Sequence, residues 1–216
     1  MLLDAIDWLG HSGFRIRVGK SVVYIDPYRV PQDAPPADLI LVTHGHYDHF
    51  SPQDVERLSA PKTWLVGPPA VAERVSGRVH SIAPGEALED ELVRGLHVGA
   101  VAAYNTSKRD GDGNPFHPRE AGWVGYHLNV HGERLYHSGD TDVIPEMDTV
   151  TGVDVALLPV SGVYVMTAHE AAEAARRIQP RAAVPMHWGE HIGSAGDART
   201  FAERAPVEVV IMEKAA

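Results

Sequence analysis

The chain contains no cysteine, which excludes a disulfide framework and any thiolate metal site. A bound metal must therefore rely on imidazole and oxygen donors. Positive charge is also scarce: 19 Lys and Arg stand against 29 Asp and Glu, a formal net charge of −10. Such a surface repels polyanions, and no Lys/Arg run reaches the length of a basic patch, so no nucleic-acid partner is expected. Apolar runs fall well short of the ~18 residues that suggest a membrane span. Asp4 and Asp7 also interrupt the N-terminal stretch where a secretory signal needs a basic start and an apolar middle. These absences lead to the expectation of a soluble, cytoplasmic protein with no membrane partner.

The 44% hydrophobic and 22% charged fractions are those of an ordinary globular chain. With 216 residues, no linker and no internal repeat, a single domain over residues 1–216 is expected. Short β-branched runs recur at Ser21–Ile25, Asp38–Thr43, Thr63–Gly67, His97–Ala103, Trp123–Val130, Arg134–Ser138, Asp154–Pro159, Arg181–Met186 and Val207–Met212. Several are continuously apolar, as in Leu39-Ile40-Leu41-Val42 and Val155-Ala156-Leu157-Leu158, which suits strands covered on both faces. Helical patterns fall at Pro52–Leu58, Pro69–Val75, Ala168–Ile178 and Ala198–Ala202, with Ser51 and Thr167 placed as N-caps. His131-Gly132 reads as a hairpin turn. The mixture predicts an α/β layered protein with partly parallel, partly antiparallel sheets. The Gly-, Asp-, Asn- and Pro-rich stretch 105–122 is too long for a plain connection and reads as a lid or binding loop.

The stretch Thr43-His44-Gly45-His46-Tyr47-Asp48-His49-Phe50 places four potential ligands between a buried strand and a capped helix. His44 and His46 can converge across Gly45, while Asp48 and His49 turn elsewhere, so two adjacent metals are compatible with the spacing. An accidental cluster among thirteen histidines is the alternative, and ordinary loops rarely show this spacing. Asp140 and His187 each follow another apolar strand, where sites in α/β proteins gather. Taken singly, Asp140 fits a turn beside Gly139 and His187 a buried structural histidine; with the first cluster, both join the candidate site.

The order His44-x-His46-x-Asp48-His49, Gly139-Asp140-Thr141, Pro185-Met186-His187-Trp188 resembles the metallo-β-lactamase superfamily. Leu9-Gly10-His11-Ser12-Gly13-Phe14 and Ile25-Asp26-Pro27 resemble its branch of ascorbate-phosphate lactonases and small metal-dependent hydrolases. The resemblance, over residues 6–190, implies an αββα four-layer sandwich of two mixed sheets. It implies one or two divalent ions, zinc first and manganese second. His44 and His46 would hold the first ion, Asp48, His49 and His187 the second, with Asp140 bridging. The family's first metal takes a third histidine from the end of a middle strand, where this chain offers Asn105; a turn role is the alternative for it. His11, His117 and His137 are the candidates to substitute.

Metal-activated water would attack a small-molecule lactone, ester, amide or phosphodiester, anionic substrates included. Asp48 could orient the nucleophile, and His11 or His137 could protonate the leaving group, with structural roles as the alternatives. Lys108 and Arg109 could hold an anionic substrate group or form a solvated loop face, and Trp188 could wall the pocket or lie in the core. Asp110-Gly111-Asp112-Gly113-Asn114 fails as a calcium loop because Pro115 and Ala121 stand where glycine and glutamate are needed. Ser138 and Ser161 lack a nucleophile-elbow context. A nucleotide or nucleic-acid phosphodiesterase is the competing enzyme reading, and a metal-binding sensor without turnover the competing non-enzyme reading. Self-association into a homo-oligomer is left open.

Overall fold

The computed structural model describes residues 2–215. Its first sheet comprises β1 (Ile6–Gly10), β2 (Gly13–Val18), β3 (Ser21–Ile25), β4 (Leu39–Leu41), β5 (Trp64–Gly67) and β6 (Arg78–Ser81), in that spatial order. β1, β2 and β3 pair antiparallel, whereas β3 through β6 pair parallel. The second sheet repeats the plan with β7 (Leu96–Ala102), β8 (Val124–Val130), β9 (Glu133–His137), β10 (Val155–Pro159), β11 (Ala182–Met186) and β12 (Glu208–Val209). β7 to β9 are antiparallel and β9 to β12 parallel. The two halves of the chain thus duplicate a topology that leaves no trace as a sequence repeat.

The continuously apolar strands explain the layering. Side chains alternate between the two faces of a strand. Leu39 and Leu41 join Val155, Leu157 and Val184 in the cluster packed between the sheets. Ile40 and Val42 face outward with Val55 and Leu58 of α1 (Pro52–Leu58) and Val71 of α2 (Pro69–Ala72). Ala156 and Leu158 face outward onto α3 (Ala168–Ile178) and Phe201 of α4 (Ala195–Arg204). Helix, sheet, sheet and helix are the four layers implied by the resemblance.

The caps act as their chemistry dictates. Ser51 accepts from the Asp54 amide at 3.2 Å, and Thr167 and Glu170 close a full capping box at the start of α3. The Asp54 carboxylate instead accepts from the Arg29 amide and Arg57. His131 and Gly132, with φ of 51° and 95°, form the two-residue turn between β8 and β9. Three strands are additional to the sequence expectation. β1 is short with Asp7 its one charged residue, β2 alternates apolar residues with Arg15 and Arg17, and β6 is an edge strand whose side chains are mostly exposed. The expected strand Val207–Met212 contracts to Glu208–Val209. No helix among the described residues is long and apolar enough to cross a membrane.

Candidate metal centre

The candidate ligands converge from the turns and loops that follow strands. His11 sits between β1 and β2, Thr43–His49 after β4, His117 in the loop after β7, Asp140 after β9 and His187 after β11. Their donor atoms form three overlapping groups: His44, His46 and His117; His11, Asp48, His49 and His187; and His44, His49 and Asp140. Within each group the atoms lie within 4.8 Å of one another. Asp140 occupies the middle. Its Oδ2 lies 3.2 Å from both His117 Nε2 and His187 Nε2, and its Oδ1 is 3.3 Å from His49 Nε2.

The outer hydrogen bonds fix which nitrogen of each imidazole faces inward. Thr43 Oγ1 donates its single hydrogen to Asp26 Oδ2 at 2.7 Å, so it must accept from His44 Nδ1 at 2.9 Å. That leaves His44 Nε2 as a bare lone pair, 3.0 Å from His46 Nδ1. His49 Nδ1 donates to the same Asp26 oxygen at 2.7 Å, which bares its Nε2 as well. His117 Nδ1 donates to Asn105 Oδ1 at 3.0 Å, and the amide orientation is set by Asn105 Nδ2 donating to the Tyr164 carbonyl at 3.0 Å. His187 Nδ1 meets Ser161 Oγ at 2.9 Å.

Electron-rich nitrogens therefore face a carboxylate. Buried His49 Nε2, His117 Nε2 and Asp140 Oδ1 have no hydrogen-bond partner, an arrangement that is costly unless a cation supplies the missing charge. The chemistry of the donor set fits a divalent ion. Protonation equilibria show the same pull. Burial disfavours a charged His49, but Asp140 and Asp26 outweigh it and raise its pKa well above the usual histidine value; with no ion bound, a second proton on Nε2 fills the place a cation would take, and the bare Nε2 is that of the neutral ring. Burial pushes His44 well below that value, and repulsion from His49 adds to the shift. Burial would raise Asp140, yet His187 and His49 hold it well below the usual carboxylate range. Asp48 is lowered in the same way, its burial outweighed by the hydrogen bond from His11.

Backbone strain is concentrated here. His11, Asp26 and His187 have φ of 50°, 46° and 59°, in the left-handed region that non-glycine residues rarely adopt. The His187 amide donates to the His11 carbonyl at 2.9 Å, so two of the strained residues brace each other. Gly139, with φ of 62°, precedes Asp140 where a Cβ would come within 2.7 Å of the Val124 carbonyl.

Several sequence expectations are revised by this geometry. Asn105 is not directed at the cluster: its oxygen accepts from both the amide and the ring of His117, and His117 stands where the third donor was sought. His137 is fully buried, with Nε2 on the Ser12 carbonyl and Nδ1 on the Gly139 amide, so no ring nitrogen remains for a leaving group. His11 is fully buried and lies behind Asp48, with Nε2 3.0 Å from Asp48 Oδ2. Lys108 is bound to Glu170 at 2.7 Å, and Arg109 donates to the Gly113 carbonyl. Trp188 stacks on Trp8 with centroids 4.7 Å apart, on the core side.

Other contributors had no role at the site in the sequence reading, although Ile25-Asp26-Pro27 helped to carry the resemblance. Asp26 orients two imidazoles, Thr43 and Ser161 one each. Asp142 gathers the amides of Thr106, Ser107 and Lys108, pinning the start of the loop that delivers His117. The available signal was position: Asp26 and Thr43 both directly follow apolar strand runs. A cavity of about 260 Å³ opens over the cluster between Tyr47, Phe116 and Tyr164.

Two facing mixed sheets with a histidine–aspartate cluster at their strand ends define the metallo-β-lactamase class of αββα protein. The family model described as the beta-lactamase superfamily domain matches residues 5–187, and the chain belongs to that superfamily. It is a metal-dependent hydrolase. A UPF0173 metal-dependent hydrolase of Methanopyrus kandleri is 32% identical over 96% of both chains. One from Thermoplasma acidophilum is 33% identical over 85% of this chain and 82% of its own. A solved structure from Parabacteroides distasonis, assigned as a metal-dependent hydrolase, superposes with a TM-score of 0.83 at 30% identity, covering 96% of this chain and 92% of the other. Igni18, a metallo hydrolase from Ignicoccus hospitalis, shares the fold with a TM-score of 0.78 at 22% identity, over 98% and 95% of the two chains.

Proposed function

We propose that the chain hydrolyses a small-molecule carboxylic ester or lactone at a two-ion centre. His44, His46 and His117 would hold one ion, Asp48, His49 and His187 the other, and Asp140 would lie between them. The observation that carries this reading is the set of buried imidazoles whose outer partners Thr43, Asp26 and Asn105 turn bare Nε2 atoms toward Asp140. An imidazole from His117 in place of an Asn105 amide favours zinc over the harder manganese ion. When bound, the ions supply an activated water near neutral pH and a Lewis acid for the scissile carbonyl.

Asp48 borders the cavity and is anchored by His11 Nε2 at 3.0 Å, so beside its place in the second ion's ligand set its carboxylate can orient the attacking water by accepting a hydrogen bond from it. Asp26, Asn105 and Ser161 keep the ligand rings in the required tautomers and orientations. A phosphodiester is the less favoured substrate: among the described residues no Lys or Arg lines the cavity, and Lys108 and Arg109 are bound elsewhere. The test is metal analysis combined with turnover on ester, lactone and phosphodiester panels. His46→Ala and Asp140→Ala are each expected to lose metal and activity together. Full metal occupancy without turnover on any panel would favour the sensor reading.

A further inference from the structure

The mouth of the cavity carries an unusual surface. Among the described residues the exposed large hydrophobic side chains are Tyr47 (67%), Val163 (49%), Tyr164 (41%) and Ile211 (40%). Tyr47 and Tyr164 line this cavity, and Val163 adjoins Tyr164 in sequence. Phe116, next to the candidate ligand His117, meets the Tyr164 ring edge-on at 4.8 Å and 82°. The Asn105 bond to the Tyr164 carbonyl ties this aromatic pair to the same residue that orients His117. Exposed aromatics that gather at a concave site mark a binding surface rather than incidental exposure.

The cations near the loops are all engaged. Lys108 pairs with Glu170 and lies 3.8 Å from Asp142. Arg109 reaches back to Gly113. Arg74 donates to the Gly45 carbonyl and covers the Phe50 ring, and Arg29 lies over Tyr28 and 4.0 Å from Glu190. Among the described residues no Lys or Arg lines the cavity, so an anionic tail on the substrate would meet aromatic faces and the Asp48 carboxylate.

We infer that the site selects a neutral ester or lactone whose aromatic or bulky apolar group packs against Tyr47, Phe116 and Tyr164 while the scissile bond lies over the Asp140 cluster. This rests on the hydrolase reading above. In the reaction the water oxygen bonds to the acyl carbon and the acyl C–O bond breaks. The water's remaining proton ends on the departing alkoxide oxygen, giving a carboxylic acid and an alcohol. The cavity of about 260 Å³ suits a substrate with one or two rings.

The test uses the zinc-loaded full chain and three δ-lactones that all release an alkoxide: isochroman-3-one, its carboxylate-bearing derivative, and the aliphatic δ-valerolactone. Isochroman-3-one is expected to exceed both others in kcat/KM by on the order of tenfold to a hundredfold, the usual span for burying an apolar group in a fitted pocket. Phe116→Ala and Tyr164→Ala should collapse the ratio between isochroman-3-one and δ-valerolactone, mainly through KM. A second arm measures binding by saturation-transfer NMR with 2-naphthol and naphthalene-2-sulfonate, and is independent of turnover. 2-Naphthol should bind the zinc-loaded chain, and lose that binding in Tyr164→Ala. Preference for the charged partner in either arm, or equal kcat/KM for isochroman-3-one and δ-valerolactone, would overturn the inference. Absence of turnover on every lactone and ester overturns the hydrolase reading instead, and the 2-naphthol comparison then still decides what the pocket prefers.

Discussion

Asp26→Asn should weaken both halves of the metal centre, although Asp26 is not among the candidate ligands. Its Oδ2 accepts from Thr43 Oγ1 and from His49 Nδ1, each at 2.7 Å, and its Oδ1 accepts from the Thr43 amide at 2.8 Å. An asparagine amide has one accepting atom, so one of the two positions becomes a donor. With nitrogen in the Oδ2 position, Thr43 and His49 both lose their acceptor. The Thr43 hydroxyl can then turn toward His44 Nδ1, which moves the His44 proton to Nε2 and blocks the lone pair facing His46. With nitrogen in the Oδ1 position, the buried Thr43 amide is left unpaired at a cost of about 1–3 kcal/mol. Loss of such an outer partner lowers metal affinity by about 10–100-fold, or about 1.4–2.8 kcal/mol per ion. Competition between the protein and a chromophoric zinc chelator, with metal stoichiometry measured alongside, reads this directly. Thr43→Val is the companion variant: it cuts the His44 arm and leaves the His49–Asp26 bond, so it should loosen one ion and spare the other. Wild-type affinity for both ions in Asp26→Asn would refute the relay, as would equal loss at both in Thr43→Val.

Asn105→His should loosen the first ion by about tenfold or more, because it removes the acceptor of His117 Nδ1; tighter zinc binding in chelator competition would return position 105 to the ligand set. The loop that carries His117 should come free in acid. Burial would raise the Asp142 pKa, but the Ser107 and Thr106 amides and the Lys108 charge outweigh it and hold it below the ordinary value. The clamp's contribution is thus complete above the unfolded carboxyl pKa of about 3.9 and is lost as pH falls through the lower folded value. Hydrogen exchange at Thr106 and Ser107 should follow that course, and loss of protection already above the ordinary carboxyl value would contradict it. Leu157→Ala, at a fully buried position between the sheets, should cost about 2–5 kcal/mol and lower the Tm by about 4–20 °C. A thermal melt shifted by less than about 4 °C, the smallest shift expected, would place Leu157 outside the shared core.

Much of the architecture was legible because its signals are local. Leu39–Val42 and Val155–Leu158 are apolar at every position, and only a strand covered on both faces needs that; the structure divides each run between the central and an outer layer. The Ser51 and Thr167 caps placed α1 and α3 to the residue. The alternation Phe14-Arg15-Ile16-Arg17-Val18 made β2 legible but it was passed over; β1 carries little alternation, and β6 is a four-residue edge strand whose exposed side chains leave almost no apolar pattern. The resemblance in His44–His49, Asp140 and His187 located most of the candidate donors. Asn105 drew attention as the expected third donor because it directly follows the β7 region. The residue that reaches the cluster, His117, lies twelve positions further along the loop.

The sequence by itself determined the layered α/β class, the acidic surface, the absence of thiolate chemistry and the His44–His49 cluster, because each depends on residue type and near-neighbour spacing. Only the tertiary structure decided which nitrogen each histidine presents and where His117, His137, Lys108 and Trp188 point. It also decided that Tyr47, Phe116 and Tyr164 share one cavity. The physical reason is that a tautomer, a paired charge or a pocket wall is defined by partners remote in the chain. Asp26 reaches His49 across 23 positions, Asn105 reaches the Tyr164 carbonyl across 59, and Lys108 reaches Glu170 across 62.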